Sequence, residues 1–146
     1  MQISAAGNSA GFTLLELLVV VAIMAMASAG VGFAMRDSSQ VQLDREAQRL
    51  AALLESARAR SRVSGVPVHW RAKPGGFRFE GLAPSTLPEQ WLDGDTGVVG
   101  TPSLLLGPEP IIGPQELVLV SQGQPGQQVR LATDGVHPFA VQAATQ

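Results

Sequence analysis

The sequence predicts an α+β chain. A long N-terminal helix, with a transmembrane half and an amphipathic half, packs on a C-terminal antiparallel β domain. Three observations carry this. Residues 12–35 hold a single charge, Glu16. Residues 36–64 interleave charged and apolar side chains at helical spacing. From Gly65 onward, short alternating runs between glycine and proline turns replace the helical period.

As a helix, residues 12–35 would extend roughly 36 Å at about 1.5 Å per residue, against a hydrocarbon core of about 30 Å. One transmembrane span is therefore expected there. A cleaved secretory signal competes, since Ala25-Met26-Ala27 offers small residues for a cut. Such signals open with positive charge, and residues 1–15 contain no Lys or Arg. Ser28 and Gly32 have the spacing that lets helices approach closely.

In the second half, Leu43, Ala47, Leu50, Leu54 and Ala57 follow a 4-3-4-3 spacing that places them on one stripe. No proline precedes Pro67, and Gly65 followed by Pro67 is a stop signal. One helix from about Phe12 to Ser64 is expected, with Gly30 and Gly32 as its weakest points.

Residues 65–146 read as a β-rich domain. Val66, Val68 and Trp70 alternate, Pro74-Gly75-Gly76 is a turn, and Phe77 and Phe79 alternate again. Residues 81–115 carry six of the ten prolines, which predicts a long irregular loop with short strand pieces. Strands are expected at Leu117–Val120 and Val129–Thr133, with a turn at Gly123–Gly126. Asp134-Gly135 reads as a tight hairpin turn into a last strand, Val136–Val141, where Pro138 suits an edge. Packing on the amphipathic half-helix would help so small a domain bury a core.

Formal charge is -2, which argues against broad binding to nucleic acid. With no cysteine, disulfides and thiolate metal sites are excluded. Gly7-Asn8-Ser9-Ala10-Gly11 matches a nucleophile-elbow pattern without the preceding strand that such an elbow needs. Asp93 and Asp95 fit a polar turn better than a calcium loop, because Gly97 and Leu104 stand where further ligands belong. His69 and His137 have no metal-ligand spacing around them. Trp70, Phe77, Phe79 and Trp91 are expected in the core. Arg58, Arg60 and Arg62 stand near the helix end, where a basic cluster suits the dipole and Glu55 is a nearby partner. No catalytic residue, cofactor site or metal site is expected.

Residues 11–16 read Gly-Phe-Thr-Leu-Leu-Glu and open the apolar run. This resembles the type III signal of type IV pilins and type II secretion pseudopilins. The resemblance implies a leader over residues 1–11, cut after Gly11 by a prepilin peptidase/N-methyltransferase that then methylates the new N-terminal Phe12. Glu16 would be the fifth residue of the mature chain. A carboxylate within a membrane helix costs about 2.5–3.5 kcal/mol and therefore needs a partner. The freed Phe12 amine, on the same or a neighbouring subunit, would be that partner and would set the register of assembly.

The helix segment Arg49–Arg58, the turn Gly65-Val66-Pro67-Val68 and the close Val129–Gly135 with Phe139 look like the H-type minor pseudopilins of type II secretion and the related minor type IV pilins. Major pilins commonly carry a C-terminal disulfide, and this chain has no Cys. The resemblance implies a structural subunit of the secretion pseudopilus, anchored once in the inner membrane with its β domain in the periplasm. Expected partners are the peptidase, other pseudopilins and inner-membrane lipid; nucleic acid is not among them. A minor type IV pilin serving pilus biogenesis or DNA uptake is the alternative. One departure stands out: Met1–Ala10 lack the Lys or Arg that usually hold such leaders in the cytoplasm.

Overall fold

In the computed structural model, residues 13–124 and 126–142 are described, the side chains of residues 29–37 apart. The helix, α1, spans Leu14–Ser64. The chain divides into two compact units, Met1–Met35 and Arg36–Gln146.

In the first unit, Thr13 starts the helix. Its hydroxyl accepts the Glu16 N–H at 3.2 Å, and its carbonyl accepts those of Glu16 and Leu17 at 3.0 and 3.2 Å. This side chain satisfies a first-turn donor that the helix itself leaves open. The expected start at Phe12 lies outside the described residues. Ser28 donates to the Met24 carbonyl at 2.8 Å, which satisfies its hydroxyl within the helix. Among the described residues, no helix is long and apolar enough to cross a membrane. The expected span also takes in residue 12 and residues 29–35, whose side chains are outside the described set.

In the second unit, the expected stripe is the packing face. Ala47, Leu50, Leu54 and Ala57 are fully buried, and Leu43 is 2% exposed. Burying one leucine is worth about 1.5–3 kcal/mol, whereas helix propensities differ by at most about 0.7 among ordinary residues. Packing therefore fixes this half of the helix. The stripe meets a core that includes Val68, Trp70, Phe77, Leu106, Leu119 and Leu131.

Seven strands form two antiparallel sheets. The first takes β1 (His69–Lys73), β2 (Gly76–Glu80) and β4 (Ser103–Leu105) in the order β2-β1-β4. The second takes β3 (Thr96–Val98), β5 (Gln115–Ser121), β6 (Gln128–Thr133) and β7 (Ala140–Gln142) in the order β3-β5-β6-β7. This is an α+β, pilin-like arrangement. In the β1–β2 hairpin, Pro74 precedes Gly75 at φ 73°, which fits a type II turn. Gly76 has no room for a side chain, since a Cβ there would stand 2.4 Å from the Glu89 carbonyl oxygen. The expected aromatics pack as a cluster, with Phe77 5.8 Å from Trp70, 5.7 Å from Phe79 and 4.7 Å from Trp91 between ring centres.

Polar ties fasten loops to the helix. Glu46, 1% exposed, pairs with Arg49 at 2.6 Å and accepts the Leu92 N–H at 2.7 Å. Arg49 donates to the Gln90 carbonyl at 3.1 Å. Further along the helix, Glu55 accepts the Phe139 N–H at 3.1 Å and lies 3.6 Å from Arg58. Arg58, 2% exposed, donates to the carbonyls of Gly135 at 2.6 Å and Pro110 at 3.3 Å. At the far edge of the first sheet, the Gln115 side chain accepts the Leu105 N–H at 2.7 Å and donates to the Leu105 carbonyl at 2.8 Å.

The turn expected over Gly65-Val66-Pro67-Val68 leads into the first strand, which begins at His69. Pro67 has no N–H to give a ladder, and the Val66 carbonyl accepts the Ser61 hydroxyl at 2.6 Å. The last hairpin is not tight: β6 and β7 pair only as far as Ala132 with Ala140, and β7 is Ala140–Gln142 rather than Val136–Val141. The intervening loop holds itself together. Asp134 accepts the N–H groups of Val136 at 2.9 Å and His137 at 2.8 Å, and Thr133 donates to the His137 carbonyl at 2.6 Å. Phe139 is then turned into the core at 4% exposure.

The Arg58→Met variant keeps the side chain's bulk and removes its donors. The Gly135 carbonyl then loses its short partner, at about 1–3 kcal/mol for a buried group left unsatisfied. Urea unfolding of the unit beginning at Arg36 measures that loss. A variant as stable as the parent would show that this tie holds nothing.

Asp134 carries a pH dependence. The His137 N–H, the His137 ring nitrogen and the Val136 N–H all favour its ionised form, and its carboxyl lies well below the usual carboxylate range. A carboxyl depressed by folding adds stability above its unfolded value of about 3.9, and that contribution is lost as pH falls through the folded value. The melting temperature of the parent is expected to fall more steeply below pH about 4 than that of Asp134→Asn. Parallel curves would contradict this.

Candidate processing and assembly site

Gly11 and Phe12, the expected cut and methylation positions, lie outside the described residues, as does the Gly7–Gly11 elbow pattern. The described part of the site begins with Thr13 and the first turn of α1, which contains Glu16. Thr13 and Glu16 stand at N-cap and third helical position, the spacing of a capping box. The Thr13 half of that box is formed by the 3.2 Å bond from the Glu16 N–H. Reading Glu16 as a charge alone misses this cap, whose signal in the sequence is Thr-x-x-Glu before an apolar run.

The cap does not remove the need for a partner to Glu16. A carboxylate in the first turn gains about 0.3–1 kcal/mol from the helix dipole at an exposed site. Placing it in a membrane costs about 2.5–3.5 kcal/mol. In a bilayer that cost would exceed the dipole gain.

The helix surface around Glu16 is apolar on every side. Leu14 and Leu15 are 81% and 73% exposed, and Leu17, Leu18, Ile23, Met24 and Met26 are exposed as well. A helix apolar all round requires lipid or other helices as its surroundings.

The three arginines of the helix end do not form one site. Arg58 is buried and committed to the Gly135 and Pro110 carbonyls, whereas Arg60 and Arg62 are exposed. Asp93 and Asp95 make a polar turn: Asp93 accepts the Asp95 N–H on its side chain and the Thr96 N–H on its carbonyl, each at 3.0 Å. His69 lies opposite Leu105 and Glu80 in the first sheet, while His137 meets Asp134 at 2.7 Å in the β6–β7 loop. Among the described residues, no group of three or more His, Cys, Asp or Glu could hold a metal ion. Buried Glu46 was not anticipated. Its signal was the Glu-x-x-Arg spacing that occurs at both Glu46–Arg49 and Glu55–Arg58.

Compared with known protein families, residues 7–32 match the prokaryotic N-terminal methylation motif. The matched stretch includes Gly11, Phe12, Thr13 and Glu16. No curated protein and no solved structure matches the chain. The motif is the type IV pilin and pseudopilin signal, and with the α+β arrangement that follows it, it supports a type IV pilin-like protein.

Proposed function

We propose that the chain is a minor pseudopilin, a structural subunit of the type II secretion pseudopilus that drives folded proteins across the outer membrane. The observation that carries this is the methylation motif over residues 7–32, at the head of a helix whose described first turns are apolar all round. In this reading, a prepilin peptidase/N-methyltransferase cuts after Gly11 and methylates Phe12. Residues 12–35 anchor the chain once in the inner membrane, and the domain beyond them stands in the periplasm. On assembly with other pseudopilins, the Phe12 amine offsets the Glu16 carboxylate left unmet by the helix dipole. The subunit works by packing and has no catalytic cycle.

One observation favours a second reading, a minor type IV pilin serving DNA uptake: Arg60 and Arg62 are exposed near the helix end. Against it, residues 66–146 contain four cations (Arg71, Lys73, Arg78, Arg130) and seven anions (Glu80, Glu89, Asp93, Asp95, Glu109, Glu116, Asp134), a net charge of -3. Phosphate neutralisation sets both the strength and the salt dependence of DNA binding, and Arg58 is withheld from that task by its burial.

Mass spectrometry of the membrane-extracted protein is expected to show a chain beginning at N-methylated Phe12. Gly11→Val should leave the leader attached, whereas Glu16→Val should be cut and inserted normally yet lose crosslinks to neighbouring pseudopilins. An intact Met1 in assembled protein, with the peptidase present, would refute the processing scheme.

The DNA reading is tested by gel shift with Arg60→Ala/Arg62→Ala, leaving the structural Arg58 in place. No appreciable binding of duplex DNA is expected at physiological salt. Sub-micromolar binding that the double variant abolishes would transfer the assignment to DNA uptake.

A further inference from the structure

A groove of ≈ 630 Å³ runs between the last turns of α1 and the loop that follows β2. Its walls are Ala59, Arg60 and Val63 on the helix, Val66 beyond it, and Leu82 and Thr86 on the loop. The volume lies within the range of about 300–1,000 Å³ typical of binding sites. The surface is mostly apolar, and Val63 stands 90% exposed within it. An isolated apolar residue on a surface needs no explanation, but a contiguous apolar groove does.

The polar groups of the groove are unequally committed. Ser64 donates to the Ser61 carbonyl and accepts the Val66 N–H, each at 3.3 Å. The Thr86 hydroxyl donates to the Ala83 carbonyl. Arg60 is exposed and, among the described residues, has no ion-pair or hydrogen-bond partner. The loop wall is held in place by Gly81, where φ is +100° and a Cβ would stand 2.2 Å from the Pro67 carbonyl oxygen.

We propose that this groove receives an apolar segment of a partner protein that presents a carboxylate to Arg60. Charge complementarity selects the occupant. The groove offers one uncommitted cation above an apolar floor, so a wholly apolar segment would leave Arg60 desolvated without compensation, and a basic one would be repelled. The proposal stands whether the assembly is a pseudopilus or a pilus.

The test places the photo-crosslinking residue p-benzoylphenylalanine at Val63 of the full chain in cells and identifies the adduct by mass. A discrete adduct with one other protein is expected. Arg60→Glu should reduce its yield about tenfold or more, whereas Arg45→Glu, exposed on the same helix away from the groove, should not. Replacing the facing carboxylate of the partner by lysine should restore the adduct in the Arg60→Glu background. The proposal is overturned by an adduct indifferent to Arg60→Glu, by loss in both variants alike, by a mass equal to two copies of this chain, by lipid adducts alone, or by no adduct.

Discussion

One contact organises the unit that begins at Arg36: the buried stripe Leu43, Ala47, Leu50, Leu54 and Ala57 against two antiparallel sheets. Neither sheet is large, and the strands other than β5 and β6 have five residues or fewer. Small sheets of this kind do not form a stable core alone, and the helix face supplies the apolar area they lack. Once the stripe is docked, the paired Glu-x-x-Arg spacings come within reach of loop backbone. Glu46 and Arg49 hold residues 90–92, while Glu55 and Arg58 hold the β6–β7 loop. The exposed ion pair Arg71–Glu80 adds little beside this, since such pairs are worth about 0–1 kcal/mol.

What was legible in the sequence was whatever had a period. The helical stripe, the alternation of Phe77 and Phe79 and the strand at residues 129–133 follow from spacing alone. The β6–β7 connection was misread because Asp-Gly is a strong short-turn signal and nothing local reveals that the Asp134 side chain bonds forward to Val136 and His137. At the helix exit, the Ser61 hydroxyl takes the Val66 carbonyl, which keeps Val66 out of the ladder that begins at His69. At the candidate site, the roles proposed for Gly11 and Phe12 rest on the resemblance of residues 11–16 to the prepilin signal, while the Thr13 cap required attention to the backbone rather than to the Glu16 charge. Buried charges were the least legible of all, because their partners are backbone groups roughly 40 to 80 residues away in sequence.

The electrostatics also separate by depth. Of the arginines that look like one cluster in the sequence, Arg58 has turned inward to satisfy carbonyl groups and only its neighbours face solvent. Helical geometry explains the split: residues 58 and 61 continue the buried face, whereas 60 and 62, two residues apart, flank it on opposite sides. Basic residues that are adjacent in sequence thus divide between architecture and surface.

The Gln115 side chain has a consequence for solubility. An edge strand with unpaired N–H and C=O groups is a template on which another chain can extend the sheet. At Leu105 both groups already face an amide that imitates the missing neighbour. The imitation is one residue long and cannot be propagated, so at Leu105 it occupies the groups that another strand would use. Subunits crowded side by side would meet a terminated ladder there, which favours recognition by side chains over unregulated growth through the backbone.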